Sequence, residues 1–314
     1  MDLASLETFL AVVRAGSFSR AAESLHRTQP AVSIALRKLE EDLGQRLLVR
    51  GSRELKLTDA GRLLVDSAER MLNLREELRR SIDDLKHLRR GQLNLGANES
   101  SVHAVLPALA QYRRRFPDVP IAVHRTFSRD VPRHVLNYRL DLGVISFVAQ
   151  EESLTSVEFF RDELVLVVYP GHRFARRRRV EITELAEDTF IAHIVESPYR
   201  WQVIQLFAGH RAPLRRDIEL PTIDSIKRFV QMEMGVAIVP RTCVRLELER
   251  GALVALNVPQ LRITRNLYLI HRNDHPLPQA ARAFIDLLKG KNADGAPARS
   301  PSPKRPAADS RPEA

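Results

Sequence analysis

With a single cysteine in 314 residues, Cys243, the chain can form no intramolecular disulfide and so no switch that closes one. That thiol reads as a small buried hydrophobe in a helix after Pro240. Long apolar runs are missing as well. The longest, Leu164 to Val168 with Tyr169, is far too short to span a bilayer, and the opening MDLASLE is acidic rather than signal-like, so a cytoplasmic protein is expected. Catalytic signatures are lacking: there is no G-x-S-x-G, no P-loop and no H-E-x-x-H. His271 and His275 stand four apart, but Pro276 follows and Asn273-Asp274 reads as a turn, so no metal site is expected there. No enzyme and no cofactor is anticipated. The charge is not concentrated either: the net value is +10, yet residues 1–90 hold 17 Lys and Arg against 14 Asp and Glu, a surplus of 3. Net charge alone locates no nucleic-acid site, and what matters is where individual arginines point.

What is present is most informative between residues 17 and 61. Ser17 can cap a short helix whose buried stripe is Phe18, Ala21, Ala22 and Leu25, and Thr28 can cap a second with Val32, Leu36, Leu39 and Leu43 inward. His26 and Arg27 alone remain for the turn, and the two small alanines let the helices sit close, as a helix-turn-helix requires. Leu3, Leu6, Phe9, Leu10 and Val13 form the stripe of a preceding helix. The outward face after Thr28 carries Gln29, Pro30, Ser33 and Arg37, and the N-terminal part of a recognition helix is what meets base edges in the major groove. Gln can pair bidentately with adenine, Ser can donate or accept, and Arg37 can reach a phosphate. Pro30 costs nothing in a first turn whose amides lack intrahelical partners. Leu47 to Leu57, turning at Gly51-Ser52, reads as a β-wing offering Arg50, Arg53 and Lys56 to the backbone or minor groove.

These residues carry a resemblance. A-x-x-L at Ala22 to Leu25, Q-P-A-V-S at Gln29 to Ser33, L-E-E-D-L-G at Leu39 to Gly44, L-L-V-R at Leu47 to Arg50 and L-T-D-A-G at Leu57 to Gly61 resemble the winged helix-turn-helix of LysR-type transcriptional regulators. The resemblance implies that Gln29, Pro30, Ser33 and Arg53 touch double-stranded DNA. Ile34 and Ala35 depart from the family's polar or basic pattern, which shifts the expected readout toward thymine-methyl contact and DNA shape.

From Thr58 to about Arg89, leucines and other apolar residues recur at spacings of 3 and 4 through Leu64, Ala68, Met71, Leu74, Leu78, Ile82, Leu85 and Leu88. About thirty residues at 1.5 Å rise make a helix of roughly 45 Å. Two readings stand: the stripe pairs with a second copy, as a homodimer or homotetramer reading an interrupted inverted repeat, or it packs on the chain's own C-terminal domain. After Gly91, β-rich runs at 93–96, 121–127, 142–145, 164–169, 190–194, 236–239 and 267–271 alternate with helical patterns at 102–116, 131–138, 199–208, 226–234 and 277–288. L-P-x-L at Leu106, F-P-D-V at Phe116, L-D-L-G-V-I at Leu140 and G-V-A-I-V-P at Gly235 extend the resemblance to the family's effector domains. Glu233 stands where the family usually has glycine.

The expected architecture is therefore an N-terminal winged helix-turn-helix, mainly α, over residues 1–58; a linker and dimerisation helix over 59–89; a two-lobed α/β effector domain like periplasmic binding proteins over 91–290; and a disordered tail over 291–314. Ligands in open α/β sheets bind beyond the strand carboxyl ends, beside helix N-termini. The first such place is Asn98-Glu99-Ser100-Ser101, where hydroxyls and free amides suit an anion, most simply a carboxylate. By the resemblance, Ser100 and Ser128 match effector-binding hydroxyls, and His193 to Pro198 lines the facing lobe. Capping is the competing role for Ser100 or Ser101. DNA-binding candidates are thus Thr28, Gln29, Pro30, Ser33, Arg37, Arg50 and Arg53, and effector-binding candidates Ser100, Ser101, Ser128 and His193. RNA polymerase is a further partner such a regulator implies; a ligand-independent architectural DNA binder is the alternative.

Overall fold

Helix α1 (Leu3–Ala15) begins where the Asp2 carboxylate accepts the Ser5 N–H at 2.7 Å, and it stops at Gly16 in a left-handed conformation. The structure is a computed structural model and describes residues 1–49, 55–87 and 91–293. Leu6, Phe9 and Leu10 are buried as the stripe predicts, but Val12 is buried too and Leu3 is exposed. The apolar face is wider than one partner needs, because α1 packs on both the following helices and α4 (Asp59–His87). Helix α2 (Phe18–Ser24) has Ser17 at its N-cap, yet the hydroxyl makes no capping bond, contrary to expectation. The turn closes through His26 at φ 52° and the Arg27 N–H on Ala22 O at 2.9 Å. Helix α3 (Gln29–Leu43) is capped by Thr28, whose Oγ1 accepts the Ala31 N–H at 3.4 Å. Val32, Leu36 and Leu39 face the core; Leu43, expected inward, lies in a last turn that outruns the core and is exposed. Each fully buried side chain of this size contributes about 1.5–3 kcal/mol, and Ala21 and Ala22 permit the close approach that buries them.

The wing's arms pair through Leu48 and Leu57, with the Val49 N–H on Lys56 O at 2.9 Å. Its predicted tip, including Arg50, Gly51-Ser52 and Arg53, lies outside the described residues. Gly61 explains the L-T-D-A-G sequence: a Cβ there would stand 2.2 Å from Leu47 O, so only glycine lets α4 start against the wing. Its 29 residues span about 43 Å. The predicted C-terminal end at Leu88 and Arg89 also lies outside the described residues; of the tail expected over 291–314, residues 291–293 instead continue the last helix of the chain, because its hydrogen-bonded turns run past Gly290, and the rest lie outside the described residues.

In chain order follow β1 (Leu93–Ala97), α5 (Glu99–Arg115), β2 (Ile121–Arg125), α6 (Val131–Leu136), β3 (Leu142–Ile145), β4 (Leu154–Val168), β5 (Thr189–His193), α7 (Pro198–Gly209), β6 (Arg215–Leu220), α8 (Ile223–Gln231), β7 (Ala237–Pro240), α9 (Arg245–Glu249), β8 (Val254–Leu256), β9 (Thr264–Arg272) and α10 (Gln279–Ala293). The first lobe orders its strands β2-β1-β3-β9-β4, with β1 parallel to both neighbours. In the second, β4 pairs with β7 and β8, and the parallel pair β5-β6 joins through a Phe190–Val236 bridge. Strand β4 serves both lobes: residues 154–163 pair with β9, residues 164–168 with β7 and β8. Separate cores result, one around Leu93, Tyr112 and Phe284, the other around Leu166, Phe190 and Phe207.

The sequence pattern finds only the buried half of β4. Its first half carries Glu158, Arg161 and Asp162 and owes its extension to β9 rather than to alternation. The edge strand β6, RRDIEL, was missed for the same reason, and β8 is three residues long. Helix α8 starts at Ile223, not 226, because Thr222 Oγ1 accepts the Ser225 N–H at 3.1 Å, and it ends at Gln231. Glu233 follows at φ 66°, a conformation glycine adopts without strain; it is held by its N–H on Val230 O at 3.0 Å and the Met234 N–H on Phe229 O at 3.1 Å. Among the described residues no helix is long and apolar enough to cross a membrane.

Candidate nucleic-acid interface and ligand cleft

At the start of α3, Thr28, Gln29 and Pro30 are exposed, Ser33 is half-buried and Arg37 is exposed. Thr28 uses its hydroxyl as the cap, whereas Gln29, Ser33 and Arg37 have no side-chain hydrogen bond or ion pair with a described residue. Three polar side chains with unused donors and acceptors therefore stand along a little over two turns of helix. Ile34 is 63% exposed beside them, an apolar group suited to a thymine methyl. Lys56, on the described arm of the wing, is exposed; Arg50 and Arg53 lie outside the described residues.

The second candidate is a cavity of about 1040 Å³ between the lobes, bounded by the start of α5, the loop after β2, and the segment from β5 into α7. Asn98, not a serine, caps α5. Its Oδ1 accepts the Ser101 N–H at 2.7 Å and the Ser100 hydroxyl at 3.1 Å, while its Nδ2 donates to Ser128 Oγ at 2.6 Å. One amide thus ties together residues 30 apart in sequence. Ser100 spends its proton on Asn98 and turns lone pairs outward; Ser128 receives a proton and keeps its own to donate. Ser101, expected to line the cleft, does not: it is fully buried and its Oγ accepts the Asn98 N–H at 3.2 Å, completing a capping box. The competing capping role accounts for it.

His193, at the end of β5, does reach the cavity. Its Nδ1 accepts the Val195 N–H at 3.0 Å and its Nε2 lies 3.6 Å from Glu99 Oε2. Arg200, near it, donates to His193 O at 2.8 Å and pairs with Glu219. Tyr199, on the same turn, donates its hydroxyl to Ser146 O at 2.9 Å across the cleft, and burial raises its pKa above the usual phenol value.

Sequence reasoning placed Asn98 at the cleft but gave its capping role to a serine, and it missed Tyr199 and Arg265 as cleft residues. An Asn before E-S-S was a legible cap signal; nothing local pointed to Arg265, which arrives from β9. Carboxylates on the lining are Glu99, Asp130 and Glu196, and arginines outnumber them two to one. Among the described residues no group of three or more His, Cys, Asp or Glu stands close enough to hold a metal ion. Cys243 is buried beneath the cleft, its thiol near Ser100 O at 3.6 Å, and burial pushes its pKa up to about 12.

Helix α4 divides its surfaces. Ala68 is buried against the N-terminal core, Asn73 and Arg70 reach Asn137, and Glu77 is buried in the first lobe. Met71, Leu74, Leu78 and Ile82 of the apolar stripe are exposed, Leu78 at 58%. Polar residues of α4 dock on the chain's own lobe, whereas these four apolar residues of its stripe do not pack there and remain uncovered.

Two family models match the chain: "Bacterial regulatory helix-turn-helix protein, lysR family" over residues 3–62 and "LysR substrate binding domain" over residues 86–293. A probable RuBisCO transcriptional regulator of Trichormus variabilis is 33% identical over 289 residues, covering 90% of this chain and 86% of that protein. The fold matches CbnR, a LysR family transcriptional regulator, at a TM-score of 0.72 with 18% identity, over 92% of this chain and 99% of that one. The regulatory domain of Synechocystis PCC6803 CcmR, solved in complex with 2-PG, matches at 0.58 with 22% identity, over 65% of this chain and 98% of that domain.

Proposed function

The chain belongs to the LysR family of transcriptional regulators, and from that membership we propose that it binds DNA through Gln29, Ser33, Arg37 and the wing, and changes its grip when a small anionic effector occupies the interlobe cleft. DNA binding and effector binding come with the family. One observation supports the finer reading: an exposed, unpaired recognition turn and a cavity of about 1040 Å³ lie in one chain, joined by a helix anchored at both ends. A ligand-independent architectural DNA binder has no use for such a cavity, which disfavours that alternative.

The effector is a carboxylate or similar oxyanion in this reading, held by Ser128 as donor with Ser100, His193 and the surplus of arginines. The uncovered stripe of α4 pairs with a second copy, so that two recognition helices address an interrupted inverted repeat as a dimer or a tetramer. No catalytic role is assigned; acting on DNA, the protein works in the compartment that holds it, with RNA polymerase as the downstream partner. Footprinting on the DNA upstream of its own gene, with and without a panel of carboxylates, tests the whole. Protection of an inverted repeat whose extent changes with one carboxylate is expected; protection indifferent to every small molecule returns the architectural reading.

A further inference from the structure

The cleft holds two buried polar atoms of opposite need, Arg265 Nη2 and Glu99 Oε2, that make no hydrogen bond with the described residues. Arg265, in the second position of β9, lines the cavity and is 3% exposed, and its Nη2 has no hydrogen-bond partner. No carboxylate of the described residues forms an ion pair with it. The natural candidate, Asp162, lies opposite it on β4 but spends its oxygens on the Thr242 hydroxyl at 2.6 Å, the Thr242 N–H at 3.3 Å and the Glu163 N–H at 2.9 Å. Burial lowers the pKa of Arg265 from the ordinary guanidinium value, Asp162 acting against that shift without cancelling it. The guanidinium nevertheless stays charged at any physiological pH.

Glu99 presents the reverse. Its Oε1 accepts the Ile223 N–H at 2.7 Å, filling the N-terminus of α8, while Oε2 is buried without a hydrogen bond, 3.6 Å from both Arg125 Nη2 and His193 Nε2. Its charge also makes the adjacent start of α5 a poor seat for an anion. A buried donor without an acceptor and a buried acceptor without a donor are each costly. Bringing both to one cavity defines a ligand by its complement.

We propose that the cleft takes a hydroxylated oxyanion, whose carboxylate or phosphate group seats on Arg265 and whose hydroxyl donates to Glu99 Oε2. This rests on reading the cleft as the effector site, and it adds the seat of the charge and the demand for a hydroxyl. Ser128 supplies a second donor to the oxyanion or to the ligand's backbone oxygen.

The test is thermal unfolding of the full-length chain with glycerate, propionate, inorganic phosphate or glycerol at matched ionic strength. In the wild-type chain glycerate raises Tm more than propionate or phosphate does, and glycerol has no effect. Arg265→Met loses every anion-dependent rise, while without anion its Tm equals or exceeds that of the wild type, since an uncompensated buried charge is gone. Glu99→Gln turns the cavity-facing acceptor into a donor; it keeps the response to propionate and loses the preference for glycerate. A lowered Tm of Arg265→Met without anion, or no rise with glycerate in the wild-type chain, overturns the inference. If the rise survives Arg265→Met but is lost in Ser128→Ala, the cleft remains the effector site and the proposed seat is wrong. If it survives both variants, the reading of the cleft fails with it.

Discussion

Arg272 holds Glu77 across the junction between α4 and the first lobe, its Nη2 donating to both carboxylate oxygens at 2.8 and 3.0 Å with the arginine only 2% exposed. Its Nη1 donates to Val135 O at 2.6 Å and Leu140 O at 3.2 Å, and the guanidinium lies 4.1 Å over the Tyr138 ring, a residue itself at φ 59°. The pair is thus part of a network that fixes the end of α6 to the linker helix. Any rotation of this lobe must carry α4 with it or break the pair.

Removing one partner strands the other charge in the interior. Glu77→Ala is expected to destabilise the folded chain by about 3–5 kcal/mol, whereas Glu77→Leu combined with Arg272→Met recovers most of that loss. Urea midpoints of the three proteins check it, and equal losses for the single and double variants would show the pair to be uncoupled.

On DNA, Gln29→Ala should cost roughly 1–3 kcal/mol on the specific site and little on random sequence, because it reads a base. Arg37→Ala should weaken all sequences alike and lower the salt slope by about 1, because a phosphate contact carries no sequence. Fluorescence anisotropy across a salt series separates the two; identical behaviour of both variants contradicts the assignment.

Replacing Leu78 and Ile82 by Glu places charge on the uncovered stripe of α4 and should yield a monomer with folded lobes that no longer binds an inverted repeat. Sedimentation velocity showing an intact dimer would refute the partner role of that face.

Because burial pushes the Cys243 pKa up to about 12, the thiol is protonated across the physiological range and shielded. Ellman's reagent should titrate no thiol in the folded protein at pH 8 and one after denaturation. Rapid reaction of the folded chain would mean that the residue is accessible.

His103 has its pKa lowered, first by burial and then by Lys227. A base with a depressed folded pKa binds fewer protons folded than unfolded, so stability falls as pH drops below about 6.5 and levels off once the folded pKa is passed. His103→Gln should flatten that part of the stability profile, measured as urea midpoint from pH 7.5 to 5.

Much of the N-terminal module was legible because its determinants are neighbours in the chain. Thr28 and Ala31, or Ala22 and Arg27, are at most five residues apart, so composition and spacing suffice to place cap, turn and exposed face. The periodic stripe of α4 was readable for the same reason, as were the alternating buried strands and helices of the two lobes. Ser17 and Leu43 show the limit: a residue type suited to a role takes it only if the neighbouring backbone and the extent of the core allow.

The cleft follows another rule. Asn98 reaches Ser128 across 30 positions, Glu99 reaches Ile223 across 124, and Glu77 reaches Arg272 across 195. Local propensity carries no record of such pairings; they depend on distant segments being brought side by side, as β9 is against β4. Chain-local energies decided the helices and the buried strands, and which residues stand on the exposed face of α3. Where Arg265 comes to rest without a partner was decided only by long-range strand pairing, since a side chain's solvation is set by what the whole fold brings around it.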